Sequence, residues 1–444
     1  MEALDSRLNT ECQELDVGRG SIAVEANIEY RFASVVCELV DTHDREFRIS
    51  FFTVPTEAGS INTQVHWKMC MRVPPADSGN SGILFLGFNQ DHGCFAVGMQ
   101  NGFRIFNADP LKQLERYEFD VRDGTGVGYL EMLFRTNFLG ILGGGHHARL
   151  PSNVACLWDG IKQRFLLEIT CASEVKAIRL RRDRIIVVLS EAIKVYTFDP
   201  SPQLIYESVT CPNPLGLCHV CQAPDNPLIV FPGRRPGMLL LVHIGNPASS
   251  IACGDVPSPS STHPSLTSAT NLPPRQIVAH ENALAAVVLN TPGTLVATAS
   301  QKGTLIRVFS TKECELLHEL RRGINPATIT CLAFNKASNL LCVTSERGTA
   351  HIFCLKRDAI DGKSRHAASS TGHSRPAVGG ASNNQDFFSF FTNAICAFSL
   401  MNPNTLIVLA ADGSYYKYSF TPNGNITRVT FVNFLDFYDE EADF

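Results

Sequence analysis

Val175-Lys176-Ala177-Ile178-Arg179-Leu180, Ile185-Ile186-Val187-Val188-Leu189 and Ile193-Lys194-Val195-Tyr196-Thr197-Phe198 follow one another with short, mostly polar joints between them. Each run is brief and rich in β-branched residues, and each is bounded by charged or turn-forming residues. That is how consecutive strands joined by tight turns are written. The pattern stands earlier at residues 82–88, 94–98 and 102–106. Later copies begin near Leu284, Ile329 and Ile395, the last with Ala411-Asp412-Gly413-Ser414-Tyr415-Tyr416-Lys417-Tyr418, a turn entering an alternating strand. Long helical periodicity is hard to find anywhere.

Units start near residues 83, 126, 174, 216, 283, 329 and 394. A period of roughly 40–50 residues with four strands per unit predicts an all-β, seven-bladed β-propeller of the WD40-like kind. The ring is expected over 80–437, with long loops at about 245–275 and 356–386. The first loop is rich in Ser, Thr and Pro, and the second in Ser, Gly, Ala and basic residues, compositions that do not pack a core. Residues 1–79 form an N-terminal extension without an assignable fold, although Phe47 to Val54 looks like a strand stopped by Pro55. Residues 438–444 form a short acidic tail.

The chain has 444 residues and 44% hydrophobic content, ample for a large core. Its net charge of -5 gives no global attraction to nucleic acid or to anionic membranes, so anion binding must come from local sites. The 15 cysteines are scattered, and many sit in apolar runs, as reduced buried thiols of a cytosolic protein do. The start, Met1-Glu2-Ala3-Leu4-Asp5, does not read as a signal peptide, and no run is long and apolar enough for a transmembrane helix.

Leu320-Arg321-Arg322-Gly323 is the stretch that points to function. In an extended segment, adjacent side chains face opposite sides, so Arg321 and Arg322 would serve two different anion sites. An Arg-Arg pair alone says little. Leu180-Arg181-Arg182-Asp183 is the chain's own control and reads as a charged turn. The flanks make the difference, because residues 297–309 and 344–353 repeat hydroxyls, glycines, arginines and a histidine at matching places.

Residues 82–437 resemble the PROPPIN family, called WIPI proteins in animals, and most closely the subgroup with short tails after the last blade. The shared stretches are Phe88-Asn89-Gln90-Asp91, Glu174 to Ala177, Arg182 to Ile185, Ala279-His280-Glu281, Ala297 to Phe309 and Glu319 to Gly323. The resemblance implies a non-enzymatic propeller acting in autophagy, without cofactor. It would bind phosphatidylinositol 3-phosphate and phosphatidylinositol 3,5-bisphosphate at a membrane surface. It also implies a first headgroup site of His280, Thr298, Ser300, Gly303, Thr304, Arg307 and Arg321, and a second of Arg322, Gly323, Ser345, Thr349 and His351. Arginine grips phosphate oxygens in bidentate fashion, and hydroxyls donate to the rest.

Plain structural readings stand beside these. His280 could cap a turn, His351 could simply be packed, and Thr304 and Thr349 suit strands on propensity alone. Lys363, Arg365 and Arg375 in the second long loop would be drawn to an anionic leaflet. Phe387 and Phe388 beside that loop either insert into the bilayer or form the outer strand of blade six. Asn89 and Asp91 are expected in an exposed turn. They would meet a bridge-like autophagy lipid-transfer protein or merely make the turn. The expected location is cytoplasmic, with recruitment to phagophore and endosomal membranes and no nucleic-acid partner.

Cys218-His219-Val220-Cys221 has the spacing of half a zinc site but lacks a second half. No nucleophile elbow, Walker loop or His-Glu-x-x-His helix occurs. The rival reading is a protein-only scaffold whose arginines take an acidic peptide.

Overall fold

The computed structural model describes residues 82–245, 273–355, 394–421 and 425–436, and the backbone of 384–388. The N-terminal extension, most of both long loops with Lys363, Arg365 and Arg375, and the acidic tail lie outside the described residues.

Seven four-stranded antiparallel sheets make up the described chain, which contains no α-helix. They span residues 83–118, 127–170, 175–209, 219–278, 284–321, 329–388 and 395–433. These are blades one to seven, and their starts fall within a few residues of the sequence-based ones. Numbering strands β1–β28 in chain order, every blade takes four consecutive strands.

Burial explains the order within a blade. In blade one, β2 (Cys94–Met99) is buried throughout, whereas β4 (Lys112–Glu118) alternates exposed and half-buried residues. A continuous apolar run belongs inside the ring, and an alternating run belongs at its outer edge. Blade five is built as β17 (Leu284–Leu289), β18 (Leu295–Ser300), β19 (Leu305–Ser310) and β20 (Leu316–Arg321). Blade six follows as β21 (Ile329–Phe334), β22 (Leu340–Ser345), β23 (Thr349–Cys354) and β24 (Asn384–Phe388). The backbone of Phe387 and Phe388 pairs with β23 at Ala350 and Thr349, so both residues belong to the outer strand.

Because strands alternate in direction, the turn between second and third strands and the connector to the next blade share one end of the ring. The first and third turns of each blade share the other.

No strand is shared between blades one and seven, so side chains close the ring. Phe434 is fully buried, 5.4 Å from both the Phe95 and the Phe106 ring, which stack on each other at 4.9 Å. Lys417 Nζ pairs with Asp109 at 2.6 Å, and the Tyr415 hydroxyl donates to the Ala108 carbonyl at 2.8 Å.

Candidate functional site

The turns between second and third strands of blades five and six are two copies of one device. They read Ser300-Gln301-Lys302-Gly303-Thr304 and Ser345-Glu346-Arg347-Gly348-Thr349. In each, the glycine N–H donates to the serine carbonyl, at 2.8 and 2.9 Å, and the glycine is left-handed, with φ of 60° and 68°. A Cβ on Gly303 would lie 1.8 Å from the Ala327 carbonyl oxygen, so only glycine fits. Lys302 and Arg347 stand exposed at the two turn tips. Sequence reading missed both, although aligning the two turns would have found them. Blade seven has the same turn at Gly413, with Asp412 in place of the cation.

The candidate residues sort by depth. Thr298 and Ser345 are fully buried, and His280, Ser300, Thr304 and His351 are nearly so. Thr298, His280, Ser345 and His351 have interior partners. His280 Nε2 and the Thr298 hydroxyl lie 3.0 Å apart, and Thr298 sits opposite Arg307 in the sheet. Burial first, and then the Arg307 charge, push the His280 pKa down to about 4, so its ring is neutral at pH 7. In blade six the Ser345 and Thr349 hydroxyls are 2.8 Å apart, and His351 Nε2 is 3.2 Å from the Thr349 hydroxyl. In this conformation Thr298 and Ser345 present no surface to solvent.

Arg307 is partly engaged. Its Nε donates to Glu319 at 2.8 Å and one terminal nitrogen donates to the Ala279 carbonyl at 2.6 Å. Arg322 is also held. Its Nε donates to the Gly303 carbonyl at 2.7 Å, and a terminal nitrogen donates to the Asn325 carbonyl. Arg322 therefore clamps the connector between blades five and six onto the blade-five turn. Arg321 differs from both: it is exposed at the end of β20, and its side chain makes no hydrogen bond or ion pair among the described residues. The paired arginines thus separate, Arg321 toward solvent and Arg322 onto the blade-five turn. Gly323 has open space where a Cβ would sit, so close packing does not demand glycine there.

Asn89 and Asp91 lie at the opposite end of the ring, in the first turn of blade one. The expected exposed turn does not hold for Asn89, which is 3% exposed. Its side-chain oxygen accepts from the Cys94 N–H at 3.0 Å, and its amide donates to the Phe134 carbonyl of blade two at 3.2 Å. The physical reason lies in the repeat. Asn290 and Asn335 accept from Leu295 and Leu340 in the same way, each five residues on, in the first turns of blades five and six. Asp91 is half-buried and accepts from the Gly93 N–H at 2.9 Å.

Cys218 and Cys221 are buried free thiols, and no metal-holding cluster occurs among the described residues. No helix there is long and apolar enough to cross a membrane.

A PROPPIN family profile matches residues 266–378, which takes in both repeated turns and the Arg321-Arg322 pair. SVP1-like protein 2 of Neurospora crassa is 36% identical over 66% of this chain and 63% of its own length. SVP1-like protein 2 of Eremothecium gossypii is 35% identical over 62% of this chain and 71% of its own. Autophagy-related protein 18 of Yarrowia lipolytica is 35% identical over 62% and 66%. Among solved structures, Kluyveromyces lactis Hsv2 superposes with a TM-score of 0.59 at 22% identity, covering 79% of this chain and 99% of that one. KlAtg21, in complex with the coiled-coil of AgAtg16, gives 0.58 at 22% identity, covering 80% and 99%. At that identity the two structures share the propeller fold. With 35% identity reaching across 71% of the Eremothecium protein, the chain belongs to the PROPPIN family.

Proposed function

We propose that this chain is a cytoplasmic autophagy adaptor that docks on phosphoinositide-bearing phagophore and endosomal membranes through the rim of blades five and six. The observation that carries the reading is the exposed Arg321 guanidinium, without a partner among the described residues, on a rim whose two repeated turns present Lys302 and Arg347. Phosphate monoesters demand such uncommitted cations, and arginine matches their geometry best. The net charge of -5 makes this local concentration stand out against the field of the whole molecule.

The ligands are phosphatidylinositol 3-phosphate and phosphatidylinositol 3,5-bisphosphate. Arg321 with the blade-five turn, and Arg322 with the blade-six turn once its guanidinium leaves the Gly303 and Asn325 carbonyls, form two weak sites on one rigid support. Their joint engagement raises avidity without new contacts. Basic residues Lys363, Arg365 and Arg375 add attraction to an anionic leaflet. The adaptor role is recruitment of an autophagy lipid-transfer protein by the first turns of the early blades, where Asp91 is more accessible than Asn89.

The test is liposome flotation. Replacing Arg321 and Arg322 together by Thr is expected to abolish flotation with phosphatidylinositol 3-phosphate, with each single change leaving partial binding. Flotation of a folded double variant at the wild-type level would reject the lipid reading. A protein-only scaffold would behave that way, and the coiled-coil complex of KlAtg21 gives that alternative its one specific support.

A further inference from the structure

Two aliphatic side chains stand nearly free in solvent beside the candidate site. Val278, at the end of β16 (Arg275–Val278), is 78% exposed, and Ile324, in the connector after Arg321-Arg322-Gly323, is 81% exposed. Scattered exposed apolar residues are ordinary on protein surfaces, so exposure alone carries little. Their placement carries more.

Both residues lie where one blade passes to the next, at the end of the ring that also presents the Lys302 and Arg347 turn tips. Val278 precedes Ala279, whose carbonyl accepts from Arg307, and His280, which meets Thr298. Ile324 follows Arg322 by two residues, and the Arg322 bonds to Gly303 and Asn325 fix the backbone on either side of it. The pair therefore brackets β20 and Arg321. The long segment of blade six leaves the described chain after β23, at the opposite end of its strand from these connectors. Its sequence between residues 356 and 383 offers Ile360 and Val378 as its only large aliphatics.

We infer that Val278 and Ile324 are paired bilayer anchors. On this inference, which rests on the lipid reading above, they enter the boundary between headgroups and acyl chains when Arg321 and its neighbours hold a phosphoinositide. The occupant is a membrane rather than a protein groove because of the surrounding charge. Exposed Arg321, Lys302 and Arg347, with half-buried Arg307 and Arg322, outnumber exposed Glu281, Glu319 and Glu346 there, and a net-basic, aliphatic-tipped edge fits an anionic leaflet. A headgroup released from its membrane would engage the cations and leave both aliphatics in water.

The experiment compares the full chain with Ile324→Ser, Val278→Ser and the double variant. One probe is phosphatidylcholine vesicles doped with phosphatidylinositol 3-phosphate, and the other is soluble inositol 1,3-bisphosphate. Val121→Ser is the control, because Val121 is 82% exposed in the connector between blades one and two, away from the candidate site. Each single variant is expected to bind vesicles about fivefold to tenfold more weakly, the double variant more weakly still, with soluble-headgroup affinity unchanged. Unchanged vesicle binding in the double variant overturns the anchor assignment. So does an equal loss in Val121→Ser, or a parallel loss of soluble-headgroup binding, which would place the two residues in the headgroup pocket. Failure of the unaltered chain to bind either probe overturns the lipid reading itself.

Discussion

Of the three Arg-Arg pairs in the described chain, the two that begin on the last residue of a strand meet opposite fates. Arg181 ends β9 (Val175–Arg181), the innermost strand of blade three, and is 5% exposed. One terminal nitrogen donates to the Ala223 and Pro224 carbonyls of blade four, at 2.8 and 3.2 Å, and the other meets Asp183 at 3.2 Å. Its neighbour Arg182 lies over the Phe134 ring of blade two at 5.0 Å. Arg321 ends the outermost strand of blade five and has no such partners. The same dipeptide becomes masonry at the inner strand and an open cation at the outer one. Radial position decides, because an inner strand end is flanked by two neighbouring blades and an outer one by water.

The contrast is broken most directly by stability measurements. Arg181→Ala is expected to lower unfolding free energy by about 2–4 kcal/mol, since it strips buried carbonyls of their donors. Arg321→Ala should change it by no more than about 0.5 kcal/mol, as exposed positions do. Denaturant titration checks both, and the reverse order would refute the contrast.

A second measurement sharpens it through pH. A buried histidine held neutral binds fewer protons folded than unfolded, so its stabilising contribution is complete above the unfolded pKa of about 6.5 and is lost as pH falls toward 4. Between those limits His280 should contribute a loss on the order of 2–3 kcal/mol. His280→Gln should shrink the difference in unfolding free energy between pH 7 and pH 4.5. An unchanged difference would show that the rim beside Arg321 does not resist protonation.

Smaller still, Arg322→Ala should cost about 1–2 kcal/mol through its bonds to Gly303 and Asn325, placing it between the two extremes. Smallest is Gly323→Ala, expected within about 0.5 kcal/mol, whereas Gly303→Ala forces a clash and a left-handed alanine and should exceed it clearly. Thermal or denaturant midpoints of the two glycine variants would decide the matter.

Much of this was legible beforehand. The strand runs and their spacing located all seven blades, because β-branched runs punctuated by turns leave little choice of architecture. That Arg321 and Arg322 part was expected from strand alternation, but not that Arg322 turns back onto the Gly303 carbonyl of blade five. Depth was not legible. Thr298 and Ser345 carry the hydroxyls that suit phosphate, yet nothing local in the sequence says that these positions, inside and at the end of a second strand, are fully buried. The control pair shows the same limit, since Arg182-Asp183 does form a turn, but Arg181 and Arg184 are buried rather than solvated. Asn89 was legible in a way that was overlooked, because Asn290 and Asn335 repeat its position five residues before a strand.

The seam between blades one and seven has a consequence for biosynthesis. Phe95 and Phe106 are translated well before Phe434, the ring that covers them. At about 5–20 residues per second, translation from Glu118 to Phe434 takes on the order of 15–60 s. Throughout that interval the flank of blade one that meets blade seven lacks that native partner, and its stacked phenylalanines are without Phe434. The circle is completed by the last described turn of the polypeptide, so a ribosome that stalls anywhere in blade seven releases an open ring.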